Sequence, residues 1–210
     1  MIELLIKTLL GYLCGSLVGG LVLGRLAGGD IRAEGSGNPG GTNALRTRGP
    51  AFAAWVLLID IGKAIFAVGV LPGLGLPGIA PDAGMTADLL APAVAAGTVV
   101  GHVYPLLYGF RGGKGVATLV GCYAVLAPAL LLPFAAAWIA VVAVSGYAGL
   151  ASISAAGSVA VLALIQSRPP ELVAFAGLMA LFMAFTHRSN MARMRAGTEH
   201  RLSLRPGTRQ

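Results

Sequence analysis

The chain has 210 residues, of which 56% are hydrophobic and only 11% charged. A soluble domain carries about 25% charged residues, so this composition excludes a soluble globular protein and sets an all-α integral membrane protein. The net charge of +7 could suggest nucleic acid, but 12 of the 15 lysines and arginines fall at Arg25–Arg48, at Arg111 and Lys114, and at Arg188–Arg209. Such clustering is the positive-inside signature of a membrane protein and argues against nucleic acid as a partner.

The first segment, MIELLIKTLLGYLCGSLVGGLVLGR, has an acidic residue at Glu3, no basic n-region and no small-residue cleavage site. It reads as a retained first helix and not as a signal peptide. A spanning helix needs about 20 apolar residues. On that measure the first spans are Leu4 to Gly24, Ala51 to Leu71 and Leu89 to Leu107. The glycine spacings Gly15-x-x-x-Gly19 and Gly20-x-x-x-Gly24 let helices approach closely. Asp60 and Lys63, i and i+3 in the second span, read either as a functional pair or as an intrahelical ion pair that cancels its own charge.

No charged side chain occurs between Lys114 and Arg168. Pro128 and Pro133, Ser145-Gly146 and Arg168-Pro169-Pro170 punctuate this stretch. Four pieces result: Gly115 to Leu132, Phe134 to Leu150, Ala151 to Ser167 and Glu171 to His187. If Lys114 and the basic tail share the cytoplasmic side, an even number of crossings separates them. The expectation is therefore seven transmembrane helices, with the N-terminus outside and the C-terminus cytoplasmic, in one domain spanning residues 1–210.

Three polar islands then fall on one face. The first is EGSGNPGGTNALRTR, Glu34 to Arg48, with glycine backbone, Ser36, Asn38, Thr42, Asn43, Arg46 and Arg48. A loop of this kind leading into a helix presents N–H groups and hydroxyls to an anion. The second is GHVYPLLYGFRGGKGVAT, Gly101 to Thr118. Here Lys114 is a compact cation with no acidic neighbour in sequence, and Arg111 offers a fork suited to phosphate. A Walker loop is disfavoured, because Tyr108 fills the first glycine slot and Gly115 follows the lysine. The third is THRSNMARMRAGTEH, Thr186 to His200, in which His187 and Asn190 stand three apart on one helix face. Each island alone is also compatible with ordinary turns, topogenic arginines or headgroup anchors, and His102 with a structural hydrogen bond. Cys14 and Cys122 lie in apolar stretches, so neither a disulfide nor a metal site is expected.

In order and spacing, GSGNPGGTNALR, GHVYPLLYGFRGGKGVAT and HRSNMARMRAGTE resemble the three signature motifs of the PlsY family, the bacterial membrane acyl-phosphate:glycerol-3-phosphate acyltransferases. Gly41, Tyr104 and Met191 depart from the family's usual Ala, Phe and Ile, and Leu107 replaces a frequent aromatic. The resemblance implies seven transmembrane helices in the bacterial inner membrane, with the site facing the cytoplasm. It also implies transfer of an acyl group from acyl phosphate to the 1-hydroxyl of sn-glycerol 3-phosphate. Carried over by motif, Ser36, Arg46, Lys114, His187 and Asn190 hold glycerol 3-phosphate. Gly35, Gly37, Asn38, Gly40, Thr42, Asn43, His102, Arg111, Gly112, Gly113, Arg193 and Glu199 line the rest of the substrate site. No cofactor and no metal are expected, the surrounding lipid supplies a groove for the acyl tail, and a monomer suffices.

An acyl phosphate is already activated, so no covalent serine or cysteine intermediate is needed. Catalysis would rest on positioning and on stabilising charge, with the proton taken either by His187 or by a substrate phosphate oxygen, the route preferred here. The competing class is a membrane transporter for a phosphorylated metabolite, although residues 115–167 offer almost no polar pathway.

Overall fold

The computed structural model describes residues 1–202, so Arg205 and Arg209 of the basic tail lie outside the described residues. Among the described residues every regular element is helical. The chain divides into two compact units, Met1–Ala127 and Pro128–Gln210.

The first unit contains α1 (Ile2–Gly15), α2 (Gly19–Leu26), α3 (Gly41–Arg48), α4 (Pro50–Val70), α5 (Ala87–Val103) and α6 (Val116–Leu126). Its central joint is α1 against α5, and glycine makes that joint possible. A Cβ added at Gly11 would meet the Val94 carbonyl, one at Gly15 the Thr98 carbonyl, one at Gly97 the Thr8 carbonyl and one at Gly101 the Tyr12 carbonyl. Backbones can come this close only where no side chain intervenes. A second core gathers Val18, Leu21, Ile31, Ala44, Ala53 and Val56, so the segment carrying the first polar island is packed onto α4.

The expected single span from Leu4 to Gly24 is instead two helices, α1 and α2, bent by 42° at residues 16–18. The missing helical bonds at this break are supplied by side chains from α4. At the far end of α1, the buried Lys7 ammonium donates to Glu3 Oε1 and to the Pro72 carbonyl, both at 2.7 Å. Glu3 Oε2 accepts from the Asp82 amide, which ties the loop of residues 74–86 to α1.

The second unit holds α7 (Leu131–Ser145), α8 (Ala148–Ile165), α9 (Pro170–Thr186) and α10 (Arg188–Arg195). Pro133 does not separate two helices as the sequence suggested. It lies in the first turn of α7, where a missing N–H costs nothing. The break at Gly146 is real: it caps α7 in the left-handed conformation, φ +75°. Helices α9 and α10 meet at His187 with a 50° bend. Ile139, Val144, Val161, Leu164, Leu178 and Leu181 point outward, as expected of helices that are apolar all round and surrounded by lipid.

Among the described residues, four helices are long and apolar enough to cross a membrane, or up to six if each bent pair counts once. Helix α6 has 11 residues, about 16 Å at 1.5 Å per residue, against a hydrocarbon core of about 30 Å.

Candidate active site

The first island is a loop wound around one asparagine. Gly35 (φ +54°) and Gly37 (φ +73°) turn the chain through left-handed conformations that side chains resist. Asn43, only 1% exposed, fills the inside of the turn. Its Oδ1 accepts from the Ser36 amide at 2.9 Å and from Ser36 Oγ at 3.2 Å. Its Nδ2 donates to the Glu34 carbonyl at 3.0 Å. The side chain of Asn43 thus fixes Ser36, which is itself exposed, as are Thr42 and Arg46. Asn38 and Gly40 are half-buried at the start of α3. Across the loop, Arg48 closes an ion pair with Glu34 at 2.6 Å. The guanidinium holds the Glu34 carboxyl below its ordinary range, and Glu34 in turn raises Arg48.

The second island is pinned by its backbone. After α5 the chain passes Pro105, a 3-10 turn at Leu106–Tyr108 and two positive-φ residues, Gly109 and Phe110. It then folds back on the end of α5. The Gly112 amide donates to the Val103 carbonyl at 3.0 Å, and the Gly113 amide to the His102 carbonyl at 3.1 Å. A Cβ at Gly112 would land on the His102 carbonyl oxygen, and one at Gly113 on His102 Nε2. Both glycines are required by lack of space. Lys114 follows, half-buried, and Gly115 (φ +89°) caps α6. His102 is 2% exposed, with Nδ1 2.9 Å from Lys63 Nζ. Its side chain is therefore part of the loop's support.

One arginine joins these two islands. Arg32 Nη1 donates to the carbonyls of Tyr108 (3.0 Å) and Arg111 (2.9 Å), while Asp30 pairs with the same guanidinium at 2.7 Å. That pair holds the Asp30 carboxyl below its ordinary range and raises Arg32. Arg25 stacks over the Tyr108 ring at 4.4 Å. In the sequence alone Arg25 and Arg32 mark only topology. The available signal was Asp30-x-Arg32 beside Gly28-Gly29, a fork with a partner next to a turn. Arg111 itself is exposed and enters this network through its carbonyl.

The third island lies in the second unit. His187 is the joint residue between α9 and α10 and is buried. Its Nδ1 lies 2.8 Å from the Met183 carbonyl and 3.2 Å from Thr186 Oγ1. A carbonyl can only accept, so Nδ1 carries the hydrogen and the neutral ring keeps Nε2 as its acceptor. Asn190 sits against Gly149 of α8, where an added Cβ would come within 2.8 Å of it. Asn190 Nδ2 donates to Glu199 Oε1 at 2.5 Å, and Arg193 Nε to Glu199 Oε2 at 2.6 Å. Glu199 thus orients two of the expected site residues at once.

The fold and these loops define an integral membrane protein whose glycine-rich turns carry cations and backbone N–H groups at a helix-bundle end. The family behind that description is clear from comparison. Residues 5–197 match the glycerol-3-phosphate acyltransferase family, and the chain belongs to it. It is 43% identical to the glycerol-3-phosphate acyltransferase of Maricaulis maris over 91% of this chain and 84% of that one. With the enzyme of Sinorhizobium medicae it is 40% identical over 91% and 89%, and with that of Geobacter sulfurreducens 39% over 96% and 98%. Among solved structures it is similar to PlsY (YgiH), an integral membrane glycerol 3-phosphate acyltransferase, in its glycerol 3-phosphate form. That match has a TM-score of 0.81 and 30% identity, and it covers 95% of this chain and 96% of that one. The lysophosphatidic acid form of the same enzyme gives 0.79 and 29%, with 95% of each chain covered.

Proposed function

We propose that this protein transfers an acyl group from an acyl phosphate to the 1-hydroxyl of sn-glycerol 3-phosphate at the cytoplasmic face of the bacterial inner membrane. The observation that carries this reading is the likeness, over nearly the whole chain, to an enzyme whose structures hold glycerol 3-phosphate and lysophosphatidic acid. All three motifs of that resemblance fall in the loops and helix ends described above. A seven-crossing topology, N-terminus outside and C-terminus inside, accompanies the proposal. In it α6, which starts two residues past Lys114, makes the remaining crossing, and a monomer in lipid is the working unit.

The glycerol oxygen attacks the acyl carbonyl carbon, and the bond from that carbon to the phosphate oxygen breaks. Phosphate leaves with the bonding electrons, and the hydroxyl proton ends on a phosphate oxygen. The products are lysophosphatidic acid and inorganic phosphate. Arg46 and Lys114 supply charge-assisted hydrogen bonds to substrate phosphate, and Ser36, His187 and Asn190 orient the glycerol. The backbone of Gly35, Gly37 and Gly40, with Asn38 and Thr42, cradles the acyl-phosphate headgroup, and Asn43 sets Ser36 within that loop. Catalysis comes from this positioning and from stabilised negative charge, with no acyl-enzyme. His187 holds its Nδ1 hydrogen on the Met183 carbonyl, which turns Nε2 to accept a hydrogen bond from substrate, and the proton itself goes to the phosphate oxygen. His187→Gln should therefore retain kcat within about tenfold, because a true general base contributes about 10²–10⁴-fold. A larger loss would restore the base role.

The test is purified protein in detergent with palmitoyl phosphate and labelled glycerol 3-phosphate, and palmitoyl-CoA as parallel donor. Lysophosphatidic acid formed only from the acyl phosphate supports the proposal. Product from the thioester alone would overturn the donor, and product from neither donor would overturn the reaction.

A further inference from the structure

A group of ionisable side chains deep in the first unit has no part in the chemistry above. Asp60 on α4 is 1% exposed, and Lys63 one turn later and His102 on α5 are buried with it. Lys63 Nζ lies 2.9 Å from the Gly15 carbonyl, 2.7 Å from the Leu17 carbonyl, 2.9 Å from Asp60 Oδ1 and 2.9 Å from His102 Nδ1. Asp60 Oδ1 also accepts from the Gly19 amide at 3.0 Å and stands 3.4 Å from His102 Nδ1.

The break between α1 and α2 explains part of this. Bending the helix there leaves the Gly15 and Leu17 carbonyls and the Gly19 amide without ordinary helical partners, and in hydrocarbon an unpaired backbone group is costly. The ammonium caps the two carbonyls, and the carboxylate caps the amide. Opposite charges on one helix turn thus close both sides of the break, with no net charge left in the membrane.

The break does not explain His102. Its Nδ1 stands 2.9 Å from Lys63 Nζ and 3.4 Å from Asp60 Oδ1, and Nε2 is the opposite end of the ring. That end of the ring lies where a Cβ of Gly113 would be. The carbonyl of the same residue holds the Gly113 amide. His102 therefore meets Gly113 through both its backbone and its ring, one residue before Lys114, and Lys63 fixes how the ring is turned.

We propose that Asp60, Lys63 and His102 are positioning residues: they lock the bend between α1 and α2 and, through the His102 ring, seat the Gly112–Gly113 turn that presents Lys114 to substrate phosphate. The inference rests on the acyltransferase reading only for its kinetic readout.

His102→Asn separates seating from folding. The asparagine carbonyl can occupy the place of Nδ1 and keep the Lys63 contact, but nothing remains under Gly113. We expect its thermal midpoint to stay within a few degrees of the parent's and amide hydrogen exchange at residues 109–115 to speed up. KM for glycerol 3-phosphate should rise about tenfold while kcat changes less than about threefold, as for lost binding in ground and transition states alike. Gly113→Ala should raise KM more in the parent than in the His102→Asn background, where the ring it strikes is gone. Asp60→Asn combined with Lys63→Met removes both charges together and should reproduce the KM shift. This pair decides if His102→Asn does not fold. Unchanged exchange and unchanged KM in a folded variant overturn the proposal. If the parent makes no lysophosphatidic acid, the acyltransferase reading fails, and the exchange of residues 109–115 alone judges the seating claim.

Discussion

The first and second polar islands are built from nearly the same residue types, yet they are held in opposite ways. In the loop of Glu34–Arg48, side chains do the holding. Asn43 ties Ser36 to Glu34 from within, Glu34 pairs with Arg48, and the glycines supply left-handed backbone. In Gly101–Thr118 what is held is backbone: the Arg32 guanidinium takes the Tyr108 and Arg111 carbonyls. Gly112 and Gly113 donate to the last carbonyls of α5, and their lack of a side chain supplies space and not an unusual dihedral. A glycine-rich loop is therefore not one kind of object. Gly35 and Gly37 are needed for conformation, as are Gly109 and Gly115 of the second island, whereas Gly112 is needed for proximity to the His102 carbonyl and Gly113 for proximity to its ring.

That contrast can be broken most severely at Gly112. An added Cβ there collides with the His102 carbonyl oxygen, a backbone atom with nowhere to go. Gly112→Ala should lower stability by about 3 kcal/mol, the upper range for overpacking, and displace Lys114. Gly37→Ala, with its nearest neighbour at 3.4 Å, should cost only the left-handed strain of about 1–2 kcal/mol. Comparing the two thermal midpoints in one detergent checks the ranking. Equal losses would erase the distinction.

Asn43→Ala should come between them in stability. Removing the pin leaves the Ser36 amide and Glu34 carbonyl without their partner, about 1–3 kcal/mol for buried groups, and frees Ser36 to wander. The kinetic result expected is a raised KM for substrate, with Asn43→Asp unable to restore it because the donor to the Glu34 carbonyl is still missing. The smallest effect is electrostatic. Arg48 lowers the Glu34 carboxyl from its ordinary 4.5, so the pair's stabilisation is present above that value and fades as pH falls below it. Glu34→Gln should remove this part of the acid sensitivity of the thermal midpoint and lower the midpoint at neutral pH only slightly, as befits a half-buried pair at the surface.

Much of this was legible in the sequence because its signals are local. The three islands stood out by glycine, asparagine and cation content in an apolar background. The breaks at Gly146 and at Arg168-Pro169-Pro170 were legible from turn chemistry. What escaped depends on partners far away in the chain. The bend at residues 16–18 cannot be read from Ser16-Leu17-Val18, since the groups that cap it lie on α4, more than 40 residues on. Pro133 misled because a proline in a first turn and a proline between helices look alike without the helix start. Arg32 looked like a topological marker because its acceptors, the carbonyls of Tyr108 and Arg111, are backbone groups that no side-chain pattern reveals.

The central claim is that the second island exists to carry Lys114 to a substrate phosphate. The most direct test is kcat/KM for glycerol 3-phosphate in the parent and in Lys114→Ala, each shown to be folded by its thermal midpoint. Loss of a charge-assisted contact to a developing or bound anion is worth about 10²–10³-fold, and a fall of at least that lower size is predicted. A folded Lys114→Ala variant with unchanged kcat/KM would contradict the account.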